Sequence, residues 1–266
     1  MPMSNEIDER LAFAHTLADA AGRVIRPYFR KRIEIVDKSA KGAFDPVTEA
    51  DRRAEEVIRG LISKSYPRDG VLGEEYGETL GTSGYRWLID PIDGTRAFIT
   101  GIVLWGTLIA LEHHGKPVIG ILDQPIQNER FVGAGGKAHL ITPEATVALR
   151  VRACARLADA IVTTTHPFAY FTPEQIAQFD RLARRSRMSR FHGDCYSYGV
   201  LALGFIDVVV EAGLKPWDTA ALIPIVEGAG GIITDWNGAS VKDGGDVIAA
   251  GDARVHAEVL KLLSAR

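Results

Sequence analysis

Residues 87–95 read Trp-Leu-Ile-Asp-Pro-Ile-Asp-Gly-Thr, and no other stretch constrains this chain as tightly. An apolar run of strand type delivers Asp90 at its end. Pro91 forces a turn and removes one amide donor. Asp93 follows two residues after the proline, so both carboxylates can converge on one point. Gly94 lets the backbone come close to a ligand. Thr95 opens a short helix whose free amides suit an anion. Two hard carboxylates beside an anion cradle are what a divalent cation bridging protein and phosphate requires. The bland alternative is an Asp-Pro turn with an Asp-Gly turn behind it, since turns favour these residues.

Around this segment the periodicity changes along the chain. Leu11, Ala14, Leu17, Ala18, Ala21 and Ile25 recur at helical spacing, which predicts one amphipathic helix from about Asn5 to Phe29. Pro27 would kink or stop it. Thr48 with Asp51 three residues on is close to a capping box, and opens a helix reaching about Tyr66. Short strands are expected at Gly70–Gly73 and Tyr85–Asp90. From Leu104 to Val132 the pattern is an antiparallel meander, with turns at His114-Gly115 and Gln127-Asn128. Pro143–Arg152 reads as a connector. Beyond it, strands at Ala160–Thr164, Ile206–Glu211, Gly231–Thr234 and Val247–Ala250 alternate with helical patterns, which argues an α/β lobe. The expected organisation is therefore an N-terminal α+β lobe, residues 1–150, and a C-terminal α/β lobe, residues 151–266.

Composition narrows the function. At 266 residues and 46% hydrophobic, the chain can bury a sizeable core. A net charge of −3 supplies no sequence-wide basic field for nucleic acid. Two cysteines make neither a disulfide framework nor a CxxC zinc site. The longest apolar run, Gly101–Leu111, is too short to span a bilayer. With a polar start and no leader pattern, a cytoplasmic protein is expected.

Three further segments carry a resemblance. Gly73-Glu74-Glu75 ends a strand, Asp45-Pro46-Val47-Thr48-Glu49-Ala50-Asp51 lies at a loop-to-helix junction, and Trp217-Asp218-Thr219-Ala220-Ala221 opens a helix. Together with Asp90–Thr95, they resemble the inositol monophosphatase superfamily of metal-dependent phosphatases, in that family's order and over nearly the whole chain. The resemblance implies an α/β chain (mixed α+β) folded as a layered α-β-α-β-α sandwich of the inositol monophosphatase/fructose-1,6-bisphosphatase type, usually a homodimer. It implies Mg²⁺, two or three per site, held by Glu74, Asp90, Asp93, Asp218 and the carbonyl of Ile92. Asp45 and Thr95 would orient the attacking water, with Glu74 also in the catalytic set. The amides of Gly94 and Thr95 would hold phosphate oxygens. Charge arithmetic agrees: two Mg²⁺ balance four carboxylates, so a phosphate dianion needs a third metal or the helix start at Thr95. Direct attack by metal-activated water, without a phosphoenzyme, is the expected chemistry.

The substrate wall is expected at Arg190–Tyr196. Asp194 follows Gly193, where a small or hydroxyl residue is usual in inositol monophosphatases, and Glu211 lies seven residues before Asp218. Two carboxylates suit a cationic leaving group. An ammonium about 4 Å from a carboxylate gains up to ~4 kcal/mol at an effective dielectric near 20. The segments GDCY and EAGLKPWD, and DPIDGTRAF with LWGTLIAL, look like the histidinol-phosphatase branch, whose substrate carries an amine and an imidazole. Arg190, Gly193, Asp194, Cys195 and Glu211, with Asp93 and Asp218, are the expected substrate contacts. The branch pattern is broken by His192, where glycine is expected, and by Val103-Leu104, where a proline is frequent. Inositol 1-phosphate, a sugar bisphosphate and a nucleotide 3′-phosphate are the alternatives. A non-catalytic binding protein would show an eroded ligand set, and this one is intact.

Other features are bland. Asp194 has a second reading as a helix N-cap, and Glu211 as an exposed strand end. His192 sits where a substrate contact is conceivable. The arginines between 181 and 190 suit a solvated helix C-terminus, with Arg190 nearest the substrate wall. A nucleophilic Cys195 is redundant beside metal-activated water.

Overall fold

In the computed structural model, which describes residues 2–38 and 46–264, the N-terminal amphipathic segment is helix α1 (Pro2–Ile25). The expected helix was longer. It stops at Ile25, and a 3-10 turn over Arg26–Tyr28 takes its place where Pro27 denies the next helical amide. Strands β1 (Ile35–Asp37) and β2 (Pro46–Thr48) pair antiparallel and lead into α2 (Glu49–Ser65). Thr48 caps α2 and Asp51 returns the bond, so the capping box read from the sequence is present.

Next come β3 (Gly70–Gly73), β4 (Gly77–Thr79), β5 (Tyr85–Asp93), α3 (Thr95–Ile99), β6 (Gly106–His113) and β7 (Lys116–Gln124). The half closes with β8 (Glu129–Ala134), β9 (Lys137–Ile141) and β10 (Thr146–Ala148). One sheet of eight strands holds them in the order β10-β9-β8-β7-β6-β5-β3-β4. The meander is longer than expected, because β10 pairs with β9 inside the expected connector.

The second half runs β11 (Ile161–Thr164), α4 (Pro167–Tyr170), α5 (Pro173–Ala183), β12 (Met188–Phe191), α6 (Tyr196–Ala202) and β13 (Val208–Leu214). It ends with α7 (Pro216–Thr219), α8 (Leu222–Gly228), β14 (Ile232–Asp235), β15 (Gly245–Ala250) and α9 (Ala253–Ser264). Its sheet, β12-β11-β13-β15-β14, is mixed: β11 is parallel to its neighbours and β15 antiparallel to both of its own.

Strand alternation builds the layers. On β5, Trp87 and Ile89 pack under α1 and α2, while Leu88 faces the other way. On β6, Ile109 and Leu111 share the first face, and Leu108 and Ala110 the second. The second face meets Tyr198 and Leu201 of α6 and Leu222, Ile225 and Val226 of α8. Across those helices lie Val209, Val247 and Ala249 of the second sheet. Its opposite face, Val208, Val210 and Ile248, packs on Phe179 and Leu182 of α5 and Val255 and Val259 of α9. The order is helix, sheet, helix, sheet, helix, as expected. The middle hydrophobic layer draws on both halves of the chain. Among the described residues, no helix is long and apolar enough to cross a membrane.

Candidate active site

The site forms where two strands break register. In a regular strand Asp90 and Asp93, an odd number apart, would face opposite sides of the sheet. Between them the pairing with β6 shifts, Asp90 lying opposite Leu108 and Asp93 opposite Gly106. This irregularity brings both carboxylates to one place. Asp90 Oδ1 accepts the Ile92 N–H at 3.0 Å, which tightens the turn. Strand β13 has a comparable shift between Glu211 and Leu214. Asp218 comes from α7, and the Lys215 N–H donates to its Oδ2 at 2.7 Å.

Carboxylate oxygens of Asp90, Asp93 and Asp218 lie within 4.8 Å of one another. They line a cleft of about 480 Å³ together with Glu74. Burial raises the Asp90 pKa well above the usual range, and the charges of Glu74, Asp93 and Asp218 raise it further. Asp93 is pushed up to about 6, chiefly by burial, against the opposing bond from Cys195. Asp218 is raised by burial and then by Asp93. Acids crowded this way call for a cation. Hard oxygen donors at this spacing fit Mg²⁺. The Ile92 carbonyl, a further donor, accepts the Thr95 hydroxyl at 3.0 Å and keeps one lone pair.

A model of the inositol monophosphatase family matches residues 6–265. The chain belongs to the inositol monophosphatase family. It is 42% identical to the chloroplastic bifunctional phosphatase IMPL2 of Arabidopsis thaliana, over 97% of this chain and 76% of that protein. It is 38% identical to a histidinol-phosphatase of Chlorobaculum parvum, over 91% of this chain and 92% of that one. The solved structure of an inositol monophosphatase from Zymomonas mobilis superposes with a TM-score of 0.86 at 42% identity, covering 97% and 98% of the two chains. This inositol monophosphatase family chain thus has the family's sandwich fold. As in that family of metal-dependent phosphatases, it carries an acidic cluster that could hold metal.

Of the residues expected at the site, Glu74, Asp90, Ile92, Asp93, Gly94 and Thr95 line the cleft from the first half. Asp194, Cys195, Glu211 and Asp218 line it from the second. Asp45 lies outside the described residues. Arg190 is not in the cleft lining: it is exposed on β12, which lies at the edge of the second sheet. His192 is likewise exposed and outside the lining. Gly193 is buried beneath the wall rather than in it.

Asp194 is not the N-cap of α6. That position belongs to Cys195, without a side-chain cap. Asp194 sits at φ 42, a left-handed conformation that Asp tolerates better than most residues. Its N–H donates to Thr165 Oγ1, and its carboxylate makes no side-chain hydrogen bond among the described residues. Burial holds its pKa well up, Asp93 and Glu211 add to this, and Arg96 opposes it. Nor is Glu211 an exposed strand end. It is 4% exposed, and its Oε1 accepts the N–H and the hydroxyl of Thr165, each at 2.8 Å.

Sequence reasoning missed several residues. Lys38 donates to Glu74 Oε1 at 2.7 Å and to Glu75 Oε1 at 2.9 Å, placing an ammonium on an expected metal ligand. Asp51, read only as a cap, is buried with its pKa pushed up to about 7 by burial, against the opposing bonds from Thr48. Arg96, Thr165, Tyr170, Tyr198 and Lys215 also line the cleft. Asp51, Arg96 and Lys215 stand in segments already singled out, though not for this role, whereas Lys38, Thr165, Tyr170 and Tyr198 stand in no local motif.

Proposed function

We propose that this chain is a Mg²⁺-dependent phosphomonoesterase that hydrolyses histidinol phosphate to histidinol and phosphate, a step of histidine biosynthesis. The observation carrying the substrate assignment is the Asp194 carboxylate, without a side-chain hydrogen bond among the described residues, beside Glu211 in the cleft lining. A neutral polyol gains little from two acids, whereas an amine or imidazolium is attracted by both. The similarity to a histidinol-phosphatase points the same way. Inositol 1-phosphate is the second reading, favoured by the Zymomonas mobilis neighbour.

In this reading Glu74, Asp90, Asp93, Asp218 and the Ile92 carbonyl hold Mg²⁺. Bound there, the ion would polarise a phosphoryl oxygen and lower the pKa of water. The Thr95 hydroxyl spends its proton on the Ile92 carbonyl, so its oxygen is left to accept from a water. Gly94 and Thr95 present backbone N–H groups at the start of α3, where an anion is stabilised. A cationic alcohol beside Asp194 and Glu211 would lower their raised pKa values and stabilise their charged forms. A homodimer, as the resemblance implies, and a cytoplasmic location, as the polar start suggests, belong to the same proposal.

Phosphate release should be followed on histidinol phosphate and on inositol 1-phosphate, with wild type and Asp194→Asn. The expected outcome is a wild-type preference for histidinol phosphate that falls about tenfold in the variant. Equal losses on both substrates would remove the cationic-substrate reading.

A further inference from the structure

Residues 165–170 run from the end of β11 through α4 to the cleft. Thr165 organises the two acids of the substrate wall. Its N–H and hydroxyl both donate to Glu211 Oε1, and its Oγ1 accepts the Asp194 N–H at 3.1 Å. Five residues on, Tyr170 closes α4 and is itself part of the lining. Burial raises the pKa of its phenol, Arg96 opposes this, and Asp194, Asp93 and Glu211 add to the rise. The Arg96 guanidinium lies 4.8 Å from the Tyr170 ring centroid. The ring therefore already receives a cation on a cleft-lining surface, as the negative face of an aromatic ring does.

We propose that Tyr170 is a further specificity-determining residue: with Asp194 and Glu211 it forms a cation box that selects a phosphomonoester whose alcohol carries an ammonium or imidazolium. The inference rests on the histidinol phosphate reading and deepens it. Two carboxylates supply charge without shape. An aromatic wall adds a flat surface that a planar imidazolium can stack on and an inositol ring cannot use in that way. Thr165 ties the three walls together, since it donates to the Glu211 carboxylate, accepts the Asp194 backbone N–H and starts the segment that carries the ring. Tyr170 is 42% exposed, so its replacement removes a surface rather than core packing.

The test uses the full-length Mg²⁺-loaded enzyme, with histidinol phosphate and glycerol 2-phosphate as substrates. The quantity read is the ratio of kcat/KM on the two. Tyr170→Leu should lower that ratio five- to tenfold, mainly through KM on histidinol phosphate, and should weaken binding of the product histidinol by a similar factor in calorimetry. Tyr170→Trp, which keeps an aromatic face, should retain most of the wild-type ratio. An unchanged ratio in Tyr170→Leu overturns the proposal, as does an equal loss on both substrates. Should Leu lower the melting temperature sharply, Tyr170→Met reads the same face. A wild type that prefers histidinol phosphate alongside a Tyr170→Leu variant with an unchanged ratio sinks Tyr170 alone. A wild type without the preference sinks the substrate reading, and the box with it.

Discussion

The backbone N–H of Cys195 donates to Asp93 Oδ2 at 2.7 Å, across 102 residues of sequence. This bond joins the two halves of the chain at the cleft. It takes up one Asp93 oxygen and leaves the other for a cation. Burial and the Asp93 charge hold the Cys195 thiol protonated, so Cys195 contributes its backbone here and not a thiolate.

The turn that presents this N–H depends on Gly193. A Cβ there would stand 1.8 Å from Ser197 Oγ. Gly193→Ala should destabilise the fold by about 1–3 kcal/mol through overpacking, and slow turnover at least tenfold by displacing Asp194 and Cys195. Thermal melting and steady-state kinetics would read both effects. Wild-type values in both would show that the wall has slack.

Gly94 is held at φ 88, and a Cβ on it would meet Asp194 Cβ at 3.0 Å and the Leu104 carbonyl oxygen at 3.2 Å. Gly94→Ala combines backbone strain with a clash in the expected phosphate cradle. Its kcat should fall about a hundredfold with the fold retained. A modest change in kcat would argue that phosphate does not sit against this turn.

Asp90→Asn removes one of the crowded charges. Phosphatase activity should be lost, and Mg²⁺ binding measured by calorimetry should weaken at least tenfold. In EDTA the variant should melt several degrees higher than wild type, since a buried repulsion is relieved. A variant that retains activity would mean the carboxylates serve another purpose.

Lys38 bears on metal affinity. Burial by itself would lower the pKa of its ammonium, but Glu74 and Glu75 more than reverse this and keep it charged. An ammonium on Glu74 competes with a divalent cation for the same oxygens. Lys38→Met should therefore tighten Mg²⁺ binding several-fold in a calorimetric titration. Weaker binding in the variant would assign Lys38 a supporting role instead.

The metal-free protein should lose stability as pH rises. Asp93 and Glu211 have folded pKa values pushed up to about 6 and about 8. Unfolded, both titrate near 4. Below pH 4 both states hold these protons and no difference arises. Above it the unfolded chain releases protons that the folded one retains, so stability falls through pH 4–8 and levels off beyond. Melting in EDTA across this range should show a decline of several degrees or more. Saturating Mg²⁺ should remove the part of the decline due to Asp93, where the cation replaces the proton, and leave the part due to Glu211.

Much of the molecule was legible in the linear chain. Helix α1 followed from its apolar spacing, α2 from Thr48 and Asp51, and the meander from its turns. Residues 90–95 pointed to carboxylates gathered at a strand end, which the structure shows for Asp90 and Asp93, because a strand end, a proline and a glycine act on their own neighbours. Local chemistry of this kind is readable since its partners are only a few residues apart. Other features were decided by packing. The shared middle layer, with α6 and α8 between two sheets, carries Asp194, Cys195 and Asp218 to the β5 turn. The place of β12 at the sheet edge kept Arg190 out of the cleft, and the end of β11 put Thr165 against Glu211. Lys38 and Tyr170 came to the site the same way, with no motif around them. The donor types were inherent in the residues, whereas their meeting required the burial of apolar surface from both halves to bring them together.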